Sequence, residues 1–137
     1  MLTSLPAVKT LVCDGYSALT EDILTSTEPL ILKGLIQHWP LVQQGKKSTV
    51  DAVSYLRSFY NQKPVVAMIA EAQEQGRFFY NSALTGFNFT RQQMSLNTLL
   101  DSLCVDGHEQ GSSMYVGSTS VNHILPGLRA EQNDIPQ

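Results

Sequence analysis

Two cysteines, one tryptophan and nine lysines and arginines are all that this chain of 137 residues holds of the types that most often announce a disulfide framework, a rigid aromatic anchor or an anionic partner. Cys13 and Cys104 stand far apart, neither in a Cys-x-x-Cys pair, so two reduced thiols are expected rather than a staple or a metal clip, both read as small buried hydrophobes. The basic residues are scattered and the formal net charge is −3, which leaves no electrostatic footprint for nucleic acid or an anionic membrane. No apolar run approaches the roughly 20 residues of a membrane helix. In the N-terminal stretch Lys9 follows the apolar residues instead of preceding them, unlike a secretory signal, so a cytosolic protein is expected. Also missing are the phosphate-cradling Gly-x-x-x-x-Gly-Lys, the dinucleotide Gly-x-Gly-x-x-Gly and the Gly-x-Ser-x-Gly nucleophile elbow.

What is present is ordinary for a globular protein: 42% apolar residues, 15% charged, and a length that suits one domain. No repeat, low-complexity tract or boundary divides residues 1–137, so a single unit is expected. If it holds all of its own core, area scaling predicts a folded surface of roughly 7,000 Å² against roughly 22,000 Å² unfolded.

Local patterns predict the elements. Leu19, Ile23 and Leu24 share a face of a short helix over 17–24, with Glu21 and Asp22 at its positive end. Pro29 to Lys33 reads as a buried strand stopped by Gly34. Ser48-x-x-Asp51 resembles a capping box opening a helix to about Tyr60, with Ala52, Tyr55, Leu56 and Phe59 in one stripe. Val65 to Ile69 and Arg77 to Tyr80 read as strands that could pair as a hairpin, and 81–91 as an ordered loop pinned by aromatic rings. Ser95 caps a second helix whose Leu96, Leu99, Leu100 and Leu103 line one face. Met114 to Gly117 is a last short strand, and Pro126-Gly127 turns the chain into a polar tail. Helices and strands in this irregular order favour a mixed α+β fold. Trp39, stiffened by Pro40, is expected as a buried anchor.

Three histidines frame the question of catalysis. They stand in His38-Trp39, His108-Glu109 and His123-Ile124, so none has a carboxylate two positions on. A mononuclear iron oxygenase uses two His and one carboxylate on one face of the metal, and a strand supplies two of these as His-x-Asp or His-x-Glu because alternate side chains point the same way. This chain has no such pair. His108 and Glu109 read as solvated loop residues, and His38 as a hydrogen-bonded structural histidine. Ser118, Thr119 and Ser120 near His123 are better read as a strand-end run than as a nucleophile and base. Phe78, Phe79, Tyr80, Phe87 and Phe89 lack interleaved basic residues and read as core rather than as a base-stacking platform.

Four ordered stretches carry a resemblance: Pro29 to Pro40, Gly76 to Asn81, Gly86 to Phe89 with Met94-Ser-Leu96, and Tyr115-Val-Gly-Ser118 running to Leu125-Pro-Gly-Leu-Arg-Ala-Glu131. Together they resemble the cupin-like (JmjC-type) family of Fe(II)- and 2-oxoglutarate-dependent oxygenases, from Pro29 to Asp134. The resemblance implies the N-terminal α/β layer and first strand or strands of a double-stranded β-helix (cupin, or jelly-roll) fold, with most of the barrel absent. In the family the iron-binding His-x-Asp lies downstream of the Leu-Pro-Gly stretch, so no metal ligand carries over. One cosubstrate position does. Tyr115 matches the family tyrosine that donates a hydrogen bond to the distal carboxylate of 2-oxoglutarate, and the bland alternative, a packed strand tyrosine, stays open beside it.

Two functions follow as expectations. The first is the N-terminal portion of an oxygenase that acts on a protein side chain or a small molecule, with Fe(II) and 2-oxoglutarate as cofactors of the complete family member and none for this chain alone. The second is a non-catalytic module acting in dimerisation or protein interaction, as a homo-oligomer. An in-frame His-x-Asp downstream of Gln137 separates them. The residues do not name a substrate.

Overall fold

The computed structural model describes residues 6–105 and 111–132. Its architecture is mixed α+β with small sheets and no closed barrel among the described residues. The chain opens with β1 (Lys9–Val12), a 3₁₀ turn (Tyr16–Ala18) and α1 (Glu21–Leu24), then β2 (Leu30–Lys33). The helix expected over 17–24 is thus two short pieces, because Leu19 and Thr20 leave the helical region between them. β2 pairs in parallel with β1, a strand that the sequence reading did not place, in the register Lys9↔Leu30 to Val12↔Lys33. With one partner and alternating exposure, β2 is half-buried rather than fully buried. Gly34 ends it at φ 87°, where a Cβ would lie 2.5 Å from the carbonyl oxygen of Cys13; only glycine fits.

Pro40 then starts α2 (Pro40–Lys47), another element not foreseen, with proline in the first turn and Lys46 and Lys47 at the negative end. α3 (Thr49–Phe59) follows as expected. Ser48 Oγ accepts from the Asp51 backbone N–H at 3.0 Å and donates to the Asp51 carboxylate at 2.6 Å, so the shorter acid holds the cap by accepting a hydrogen bond from its hydroxyl. Val53, outside the expected stripe, is the buried residue of this helix.

β3 (Val65–Ala70) lies at the centre of an antiparallel sheet of order β4-β3-β5, in which β4 is Phe89–Met94 and β5 is Ser113–Tyr115. The partners of β3 are therefore β4 and β5, and not Arg77 to Tyr80. The middle of β4, Thr90-Arg91-Gln92-Gln93, is polar and exposed, as an edge strand permits, and shows no apolar period. Arg77 to Tyr80 belongs to a loop instead. Phe79 N–H donates to the Asn88 side chain at 2.8 Å, Asn88 N–H donates to the Phe79 carbonyl at 2.9 Å, and the one ladder-like contact is the Tyr80↔Phe87 bridge.

α4 (Leu96–Ser102) is capped by Ser95, which accepts from Asn97 N–H at 3.2 Å. Beyond β5, α5 (Val121–Ile124) precedes the Pro126-Gly127 turn and α6 (Leu128–Glu131) follows it, so the start of the expected polar tail is helical. Tyr60, Val65 and Ile124 form the core cluster, with Met94, Leu96, Val116 and Leu125 packed on it. Gln132, 4% exposed, ties the last helix down: its side chain accepts from Leu41 N–H at 2.9 Å and donates to the Tyr55 hydroxyl at 3.0 Å. Cys13 is buried as expected, whereas Cys104 is exposed past the end of α4; both thiols are free. No helix among the described residues is long and apolar enough to cross a membrane.

Candidate functional site

Strand alternation gives the β4-β3-β5 sheet two unlike faces. Residues paired across an antiparallel ladder point the same way, so Val65, Ala67, Ile69, Met94 and Met114 share one face and Val66, Met68, Arg91, Gln93 and Tyr115 the other. The first face looks into the core, where Val65 and Ala67 are buried. Between it and the helices α3, α4 and α5 lies an apolar cavity of about 340 Å³, its wall including Leu56, Leu99, Leu103 and Val116. The polar side chains on this wall are those of Tyr115, Thr119 and Ser120, so Tyr115 borders the cavity as well as the sheet's other face.

The second face is open except at Ala70, which is fully buried there. Val66 and Tyr115 are each 51% exposed, and the cross-strand row Arg91–Met68–Tyr115 sets a guanidinium and a phenol on either side of a methionine. Arg91 makes no ion pair among the described residues; its guanidinium carbon sits 5.9 Å from the Phe87 ring centre. A continuous run of rings borders the row. Tyr115 contacts Phe78 at 5.8 Å, Phe78 contacts Phe89 at 5.7 Å, and Phe89, Phe87 and Tyr80 stack at 4.9 and 5.4 Å. The expected core rings are thus partly surface: Phe79, Tyr80 and Phe87 are more than half exposed. Phe87 is engaged within the chain by Tyr80, Phe89 and Arg91 rather than presented bare to nucleic-acid bases.

The remaining candidates are scattered. His38 is exposed, and its Nε2 lies 2.8 Å from the Asp14 carboxylate, so it is the hydrogen-bonded histidine expected, at the surface. That bond, with a second from Gln37 at 2.7 Å, lowers the pKa of Asp14 below its ordinary 3.8. Beside them Trp39 donates its indole N–H to the Tyr16 hydroxyl at 2.8 Å; it is partly rather than fully buried. His123 Nδ1 lies 3.4 Å from Lys63 Nζ and bonds none of the neighbouring hydroxyls, while Thr119 donates to the Gly117 carbonyl. His108 and Glu109 lie outside the described residues. No group of three His, Cys, Asp or Glu that could hold a metal ion forms among the described residues, so these do not fit an iron centre.

Sequence reasoning singled out Tyr115 and did not single out Arg91, Asp14 or Gln132. For Arg91 the only signal was an alternating Phe89-x-Arg91-x-Gln93 row, invisible until its strand was identified. Gln132 could have been suspected from its i+4 spacing to Leu128 on one helical face.

Among known proteins, the family model of the cupin-like domain matches residues 16–137. No curated protein matches the chain, and no solved structure does.

Proposed function

Since this chain belongs to the cupin-like domain family, we propose that it is the N-terminal portion of an Fe(II)/2-oxoglutarate-dependent, JmjC-type oxygenase and that its open sheet face contributes to the cosubstrate pocket. The observation that carries this reading is the position of Tyr115, an exposed phenol on β5 in the same row as Arg91. 2-Oxoglutarate is a dianion. A neutral phenol donates one hydrogen bond to a carboxylate, and an arginine with no ion pair among the described residues adds the opposite charge. Iron supplies oxygen activation in this chemistry, and its ligands would have to come from outside the described residues. The acceptor of the oxygen, a protein side chain or a small molecule, then meets the site beyond this face. The free thiols of Cys13 and Cys104 suit a cytoplasmic setting.

A test uses the sheet's own alternation. Met68 lies on the Tyr115 face and Met114 on the core face, so methyl NMR of the methionines separates them. Titration with 2-oxoglutarate should shift the Met68 signal and leave Met114 in place, with weak, roughly millimolar affinity for a site of one or two charged hydrogen bonds. Tyr115→Phe should weaken it about ten- to a hundredfold. No Met68 response, or one indifferent to Tyr115→Phe, would return Tyr115 to a packed strand tyrosine.

The second reading, a non-catalytic module for dimerisation or protein interaction, is favoured by β5 having a partner on one side only among the described residues, next to the apolar cavity wall. It predicts concentration-dependent association with no response to 2-oxoglutarate.

A further inference from the structure

Gly117 follows Tyr115 by two positions, and in extended chain such residues face the same way. Its φ is not in the left-handed region, so backbone freedom does not explain the glycine. Space does. A Cβ built on Gly117 would lie 2.6 Å from Tyr115 Cε1, 2.6 Å from its hydroxyl oxygen and 2.7 Å from Cζ, closer than real Cβ contacts come. The phenol therefore lies forward along the chain, its tip resting where a side chain at 117 would be, while Phe78 meets the ring at 5.8 Å.

We propose that Gly117 is a positioning residue for the Tyr115 hydroxyl: the absence of a side chain at 117 is what holds the phenol low against the open sheet face, in reach of a carboxylate bound over Met68. This rests on the reading of Tyr115 as a 2-oxoglutarate donor. The ring is half exposed, so an alanine at 117 is accommodated by swinging the phenol outward rather than by breaking the strand, and the cost falls on ligand geometry.

The experiment compares the full chain with Gly117→Ala, Tyr115→Phe and the double variant. In the unmodified chain, nuclear Overhauser contacts between the Gly117 α-protons and the Tyr115 ring are expected; their absence overturns the proposal without any variant having to fold. Gly117→Ala should retain the far-ultraviolet dichroism of the parent, move the Tyr115 ring resonances, and weaken the Met68-detected 2-oxoglutarate titration at least tenfold. In the Tyr115→Phe background the same alanine should add no more than twofold, since it acts through the hydroxyl. Full additivity, or an unchanged titration in Gly117→Ala when Tyr115→Phe does weaken it, defeats the positioning role alone. Indifference of the titration to Tyr115→Phe defeats the underlying reading instead.

Discussion

Trp39 ties its own segment to Tyr16 through the indole N–H and shares an apolar pocket with Leu41 and with Leu128 of the last helix. Trp39→Ala should therefore destabilise by about 3 kcal/mol, the low end for a large aromatic because the ring is only partly buried. Tyr16→Phe should cost about 1 kcal/mol, the hydrogen bond alone. Urea denaturation measures both, and equal effects would show that packing contributes nothing. Asp14 gives a pH test. Its pKa is lowered by the His38 and Gln37 hydrogen bonds, so the folded chain holds that carboxyl proton less readily than the unfolded chain. The stabilisation from the ionised carboxylate is present above about 3.8 and disappears as pH falls through the lower, folded value. A carboxyl-carbon NMR titration should place the Asp14 midpoint below 3.8, and Asp14→Asn should abolish that titration; a midpoint at or above 3.8 contradicts the bond.

Elements with strong local chemistry form where their residues indicate. α3 has a reciprocal Ser48–Asp51 cap and eleven residues of helix, and Ser48→Ala should cost about 1 kcal/mol with loss of first-turn amide protection in hydrogen exchange. Unaltered protection there would mean that packing, not the cap, sets the helix start. β4 is the contrary case. Its alternation pairs Phe89, Arg91 and Gln93 against Thr90, Gln92 and Met94, and neither set is apolar enough to mark a buried face. What makes it a strand is β3, whose Val65-Val-Ala-Met-Ile69 core supplies the ladder and accepts a polar edge. Arg77 to Tyr80 shows the reverse error of pattern: three aromatics in a row look like a strand, yet Asn88 captures the Phe79 N–H and C=O and folds the segment into a loop.

The whole chain exposes 10163 Å², well above the roughly 7,000 Å² of a compact protein of this mass. Large apolar side chains are exposed along the chain, among them Val12 at 89%, Leu24, Val66, Phe79, Leu84 at 75% and Val121. β5 has a free edge among the described residues, and an open strand beside apolar surface is a template for association. The isolated chain should therefore run in light scattering as a dimer or larger species, dissociating on dilution. A 15.1 kDa monomer at every concentration up to hundreds of micromolar would refute this.

Short-range chemistry was enough for the α+β class, the two serine-capped helices, β3, and the placing of Tyr115 on a terminal strand, because caps, β-branched runs and apolar stripes act within a few residues of themselves. The family resemblance, too, resides in short ordered stretches. Nothing local could bring Arg91 into line with Tyr115, lay the phenol over Gly117, set Asp14 against His38 or bury Gln132 between two helices. Each of these joins residues through a ladder or a packed helix, and a side chain's facing direction is settled by its strand's partner. Pairing of β3 with both β4 and β5 turned Arg91, Met68 and Tyr115 into one row on an open face.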